Sequence, residues 1–157
     1  MRSVASLVFL MAAAVSTAAG AATRIENPEA FVRETYRHLE QNSDYRTPED
    51  IYSPRLAALF ALDRKEAGGD VGRIDFDFWT NSQDFRISKV RVTSKPVENA
   101  PDRRVVIAKF ANIGTPEDIR FYFEKAADGW KLDDARSAGK DKWTLSLILK
   151  YGWDDER

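Results

Sequence analysis

Four aspartates, Asp70, Asp75, Asp77 and Asp84, lie close together and are interleaved with Phe76, Phe78, Trp79 and Phe85. Carboxylates at this density can hold a cation, act as general acid and base, or accept hydrogen bonds from the N–H groups of turns. Taken as an extended segment, Ile74, Phe76 and Phe78 point one way and Asp75 and Asp77 the other. Those two acids would sit roughly 6.6 Å apart at two strand rises, a spacing that suits a cation or plain solvent. They are the metal candidates, although a calcium loop begun at Asp75 fails its pattern. Trp79 occupies the fifth position, Thr80 the glycine position and Arg86 the place of the bidentate glutamate. Taken as a turn, Asp70 and Asp77 accept from N–H groups one or two residues on, and Asp84 closes the start of a strand. The turn reading is preferred, because main-chain donors in so long a loop need acceptors.

Asp63 follows Leu56 by seven residues and Phe60 by three, on the helical stripe that should face the core. An unpaired carboxylate there would cost several kcal/mol, so it should pair with Arg55, Arg64 or Arg73, or open into a cavity. Acid–base catalysis would use Asp63, Asp75 or Asp84 with Tyr36, Tyr52 or Tyr122 as hydrogen-bond donor. Ketosteroid isomerase shows that an aspartic acid kept neutral by an apolar site can work beside a tyrosine. His38, the only histidine, stands at the edge of an apolar stripe and is expected to be a satisfied boundary residue. Asp133 and Asp134, after Trp130 and Leu132, are expected to end a strand at a wet edge. No Gly-x-Ser-x-Gly, His-Glu-x-x-His, phosphate-loop or dinucleotide pattern occurs, so no cofactor is expected.

The elements that must position these groups have clear start and stop signals. Asn27-Pro28-Glu29 reads as a cap, a first-turn proline and a first-turn acid, followed by Phe31, Val32, Thr35, Tyr36 and Leu39 at helical spacing. A short helical turn is predicted over Pro48–Tyr52 and a longer helix from Pro54 to about Ala67, stopped by Gly68-Gly69. From Phe85 the period becomes two. Phe85 and Ile87 share one phase and Val90 and Val92 the other, so a β-bulge is expected near Ser88-Lys89. Further strands are predicted over Arg103–Asn112, Glu117–Ala126 and Trp130–Asp133, with a hairpin at Asp128-Gly129. Trp143–Tyr151 fits both periods, and Lys150 with Gly152 favours a short helix. The fold class is α+β: N-terminal helices on a curved antiparallel sheet of about four strands.

Met1-Arg2-Ser3, the apolar run Val4–Ala14 and the small residues up to Ala21 read as a secretory signal peptide, leaving one domain over 22–157. That leader holds one of the 24 cations and none of the 25 acids, so the mature chain carries about −2. Neither nucleic acid nor insertion into a membrane is expected. The chain has no cysteine, which removes disulfides, a lipobox anchor, thiolate metal sites and thiol catalysis from consideration. The mature protein is expected to be periplasmic or secreted, with a small ligand or an envelope protein as partner. Asp154-Asp155-Glu156 reads as a solvated tail.

Phe31-Val32, Tyr36, Ser53-Pro54-Arg55-Leu56, Gly69-Asp70-Val71-Gly72, Ile74-Asp75-Phe76-Asp77, Gln83-Asp84 and Gly129-Trp130-Lys131-Leu132-Asp133-Asp134 occur in that order. In this the chain resembles an exported bacterial family catalogued as domain of unknown function 3828. The resemblance implies the cone-shaped fold of nuclear transport factor 2, a curved sheet wrapped around helices. Phe78 and Phe85 depart from the proline and tryptophan usual in that family. The resemblance brings no activity, so two readings stand: a non-catalytic binding or interaction module, and a small cone enzyme using Asp and Tyr.

Overall fold

The computed structural model describes residues 22–41 and 45–153. The segment expected to be a signal peptide, residues 1–21, and the expected acidic tail, Asp154-Asp155-Glu156, lie outside the described residues. Helix α1, Pro28–Glu40, starts as the sequence predicts: the Asn27 side chain accepts from Ala30 N–H at 3.1 Å and Pro28 takes the first turn. It buries Val32, Thr35, Tyr36 and Leu39. A 3-10 turn at Glu49–Ile51 leads to α2, Pro54–Ala67, whose cap Ser53 accepts from Leu56 N–H. Gly68 closes α2 in the left-handed region at φ 61°, where any side chain would be strained.

Five strands follow: β1 (Ile87–Val97), β2 (Ala100–Asn112), β3 (Thr115–Ala126), β4 (Gly129–Ser137) and β5 (Trp143–Thr144). They pair in sequence order and antiparallel throughout. The bulge foreseen near Ser88-Lys89 is present as a register shift between Ser88 and Arg91, with Lys89 at φ 55°. A second shift lies between Tyr122 and Phe123, opposite Asp133. Such bulges bend a sheet, and this one is curved. Val106, Ala108, Phe110, Ile119, Phe121, Phe123 and Leu132 form its buried face, against Val32, Tyr36, Leu39 and Leu56.

The α+β class holds, with two corrections to its detail. The sheet has five strands rather than about four, because Trp143–Thr144 pairs with Arg136 and Ser137 before the chain turns into α3, Leu145–Tyr151. This tail was ambiguous because it is both things in succession. Of the three α-helices among the described residues, one therefore follows the sheet. In addition, β4 continues past Asp133 to Ser137, so Asp133 and Asp134 are not at a wet edge: they are buried within the strand.

Candidate functional site

The aspartate-rich stretch is an irregular loop held from several sides. The Tyr36 hydroxyl on α1 donates to Trp79 O at 2.6 Å, and Asn112 on β2 donates to Thr80 O while accepting from Arg86 N–H. Asn81 accepts from Trp143 Nε1 and donates to Glu117. Trp79 stacks on Phe121 at 4.3 Å. Within the loop, Asp77 Oδ1 accepts from Trp79 N–H at 2.8 Å, the Asx turn expected of it, and its main chain pairs with Ser82. Burial raises the Asp77 carboxyl above its ordinary range, against the Trp79 N–H and the charge of Arg46.

The remaining acids of the stretch behave differently. Asp70 contributes its N–H to Ala67 O and its carboxylate stays exposed, so no Asx turn forms there. Asp84 is exposed and serves through its main-chain oxygen, which accepts from Ser82 Oγ. The start of β1 is closed by Asn112 instead, because a side chain arriving from the neighbouring strand reaches Arg86 N–H at 2.9 Å. Asp75 is exposed and has no partner among the described residues. Among the described residues, no three His, Asp or Glu side chains are grouped to hold a metal ion.

Asp63 is 6% exposed and pairs with Arg73, one of its three expected bases. Its Oδ1 accepts from Arg73 N–H at 2.9 Å, and Arg73 Nη1 also donates to Leu149 O on α3. A shallow hollow of about 270 Å³ borders this pair. A Cβ on Gly72 would land on the Asp63 carboxylate, with Cγ at 2.9 Å, so the glycine is what allows the loop to approach so closely.

The two aspartates misplaced at a strand end hold the strongest polar network. Asp133 Oδ1 accepts from Ser53 Oγ at 2.7 Å and from Arg55 Nε at 3.0 Å, and Arg103 reaches Oδ2 at 3.3 Å. Burial opposes its charge, but the bonds from Arg55 and Ser53 and the charges of Arg55 and Arg103 outweigh it and lower its pKa. Asp134 Oδ1 accepts from Ser146 N–H at 3.0 Å, and Oδ2 from Ser146 Oγ at 2.7 Å. Thr144, at the start of α3, supplies no side-chain cap. One carboxylate thus grips the first turn of α2 and the next grips that of α3, where the helix dipoles favour negative charge. The bulge at Asp133 lets adjacent residues serve both helices.

Of the tyrosines, Tyr36 is fully buried and its hydroxyl is engaged by Trp79 O; burial, with Asp77 and Glu117 adding, raises its pKa well above 10. Tyr52 stacks on Phe60 at 4.9 Å and its pKa is also raised, mainly by burial. Tyr122 lies under the guanidinium of Arg136. His38 bonds Glu34 at 3.2 Å and stacks on Tyr45, the satisfied boundary residue expected.

The proposed catalytic residues Asp63, Asp84 and Tyr36 therefore do not meet. Asp75, Asp77 and Tyr52 do, on the wall of a cleft of about 780 Å³ between the 45–49 segment, α2 and the loop. Tyr45, Tyr52, Phe60, Phe76, Phe78 and Phe85 supply its aromatic lining; Arg46, Glu49 and Gln83 add polar groups. Trp79 also lines it, and its Nε1 is buried with no acceptor among the described residues. On the far side of Asp75 and Phe76 lies a larger hollow of about 1130 Å³ beside α3, and a third of about 640 Å³ sits on β1–β3. The sequence singles out Asp75, Asp77 and Tyr52 as site candidates, but not Tyr45, Phe60 or Gln83. Their spacing along the chain carries no common period that would have found them.

Fold and cleft together define an α+β module with helices on one face of a curved sheet and an aromatic hollow at its surface. No family model and no curated protein matches the chain. Among solved structures, a phospholipid-binding protein from Ralstonia solanacearum, in complex with a phospholipid, aligns over 75% of this chain and 68% of its own. The two are 20% identical with a TM-score of 0.32, a likeness too loose to carry fold or ligand across.

Proposed function

We propose that the chain is an exported, non-catalytic binding module that takes a small, partly apolar ligand in the aromatic cleft. It would belong to the family of domain of unknown function 3828 and share the cone plan of nuclear transport factor 2. The observation that carries this reading is that the interior of the sheet is filled. Tyr36, Phe121 and Phe123 have at most 1% exposure, and the one buried phenol is bonded to main chain. Catalysis inside a cone needs a chamber, and these side chains occupy it. What remains open is a hollow lined mainly by rings with a few polar groups, the usual make-up of a ligand site. The alternative, an Asp/Tyr acid–base enzyme, draws on one observation, the raised Asp77 carboxyl on the same wall as Tyr52. One Asp77 oxygen is already engaged by Trp79 N–H.

The test is a titration of residues 22–157 with an aromatic fragment library, followed by intrinsic tyrosine and tryptophan fluorescence, on wild type and Phe60→Ala. Binding that weakens at least fivefold in a folded Phe60→Ala supports the cleft. Binding insensitive to Phe60, or chemical conversion of any fragment by wild type but not by Asp77→Asn, contradicts it.

A further inference from the structure

The charges around the aromatic cleft are unbalanced towards acid, the opposite sign to the other two large hollows. Glu49, Asp75 and Asp77 line it against a single cation, Arg46, while the whole chain is close to neutral at −1. Arg46 is turned back on the main chain, donating to Tyr45 O at 3.0 Å, and its charge already serves Asp77. Glu49 is shared with Arg64 only at 3.8 Å. Asp75 has no partner among the described residues and faces solvent. Beside these acids the rings run in contact: Tyr52 on Phe60 at 4.9 Å, Phe60 against Phe78 at 6.4 Å, Phe78 against Trp79 at 5.5 Å. Ring faces carry negative potential and attract cations, alkylammonium groups above all, and a carboxylate at the rim adds to that attraction. The hollow beside α3 shares Asp75 and Phe76 and adds Trp143 and Trp153, but there Arg136, Lys140 and Lys142 outnumber Asp75 and Asp141; the hollow on β1–β3 sets Lys89, Arg91, Lys109 and Lys140 against Glu117 and Asp118.

We infer that the ligand of the aromatic cleft is an organic cation: an amine or quaternary ammonium bearing an apolar or aromatic body, held against the ring faces with Asp75 as counter-charge. This rests on the cleft being the binding site. An anionic ligand would meet the same acids at close range and be repelled, and a neutral one would gain only the apolar contact.

The probes are benzyltrimethylammonium, benzyl alcohol and phenylacetate, measured by calorimetry and by fluorescence at 20 and 300 mM salt. The expected order is benzyltrimethylammonium first, by about tenfold or more over benzyl alcohol, with phenylacetate weakest. Asp75→Asn, at an exposed position that leaves the fold alone, should weaken the cation about three- to fivefold, leave benzyl alcohol unchanged, and remove most of the salt dependence. Phe60→Ala should weaken all three. Equal affinity for the three probes, or preference for phenylacetate, overturns the charge inference and leaves the cleft as a binding site. If none of the probes binds at millimolar concentration and Phe60→Ala changes nothing, both the inference and the cleft reading fall.

Discussion

Replacing Asp134 by alanine is the most informative structural perturbation, because its cost can be worked out donor by donor. Asp134 is buried, with 5% of the residue exposed, and its carboxylate accepts from Ala135 N–H at 2.9 Å, Ser146 N–H at 3.0 Å and Ser146 Oγ at 2.7 Å. Alanine strands all three donors in a buried place. Each buried donor without an acceptor costs about 1–3 kcal/mol, and the hydroxyl can turn to find another partner. The expected loss is about 3–5 kcal/mol, a large share of the roughly 5–15 kcal/mol that holds a domain together. Asparagine keeps an oxygen for the N–H groups and gives up the charge, so about 1–2 kcal/mol should go. The assay is urea unfolding followed by tryptophan fluorescence, with the slope checked for constancy. A cycle with Ser146→Ala should give a coupling of about 1–2 kcal/mol. A loss under about 1 kcal/mol for Asp134→Ala, with additive effects in the cycle, would refute the claim that this carboxylate caps α3.

Four further outcomes are expected. Asp133 has a lowered pKa in the folded state, so the stability it confers is present above its unfolded value near 3.8 and is lost as pH falls through the lower folded value. Urea midpoints at pH 6 and pH 3 should therefore differ less in Asp133→Asn than in wild type. Asp77 has the opposite sign: its raised pKa confers stability below the unfolded value that is lost as pH rises through the folded one. Asp77→Asn, which keeps an acceptor for Trp79 N–H, should be neutral or stabilising at pH 7, whereas Asp77→Ala should cost about 1 kcal/mol in thermal or urea unfolding. Ile113 is 64% exposed at φ 48° ahead of Gly114 in the β2–β3 turn. A β-branched residue is strained there, so Ile113→Asn should raise stability by about 1 kcal/mol, read as a higher Tm. Gly72→Ala should push Asp63 off Arg73 N–H and cost about 2 kcal/mol, and Asp63→Ala should remove most of that difference in a double-mutant cycle.

Most of the architecture was legible because its signals are local. Asn27-Pro28 and Ser53-Pro54 set helix starts, Gly68 a helix end, and the phase change between Ile87 and Val90 a bulge, all within a few residues of the feature. The errors arose where distant parts of the chain decide. Nothing around Asp133 announces the bulge opposite Tyr122-Phe123, so the double aspartate reads as a strand end when it joins two helices to β4. Trp143-Thr144 becomes a strand only because Arg136 and Ser137 are alongside. The same holds for the loop acids. Asp77 forms the predicted turn because its partner is two residues away, while the expected work of Asp84 falls to Asn112, on another strand. The cleft is the extreme case, gathering Tyr45, Tyr52, Phe60, Phe76 and Phe85 from segments that share no periodicity.

Amide chemical-shift mapping of the labelled chain, titrated with an aromatic fragment that binds it, tests the account most directly. The shifts should cluster at Tyr45–Glu49, Tyr52, Phe60 and the Ile74–Phe85 loop, with Phe110, Phe121 and Phe123 unmoved. Shifts centred on those three and on Tyr36 would mean that the interior opens to take the ligand, and would contradict a filled cone with its binding site outside.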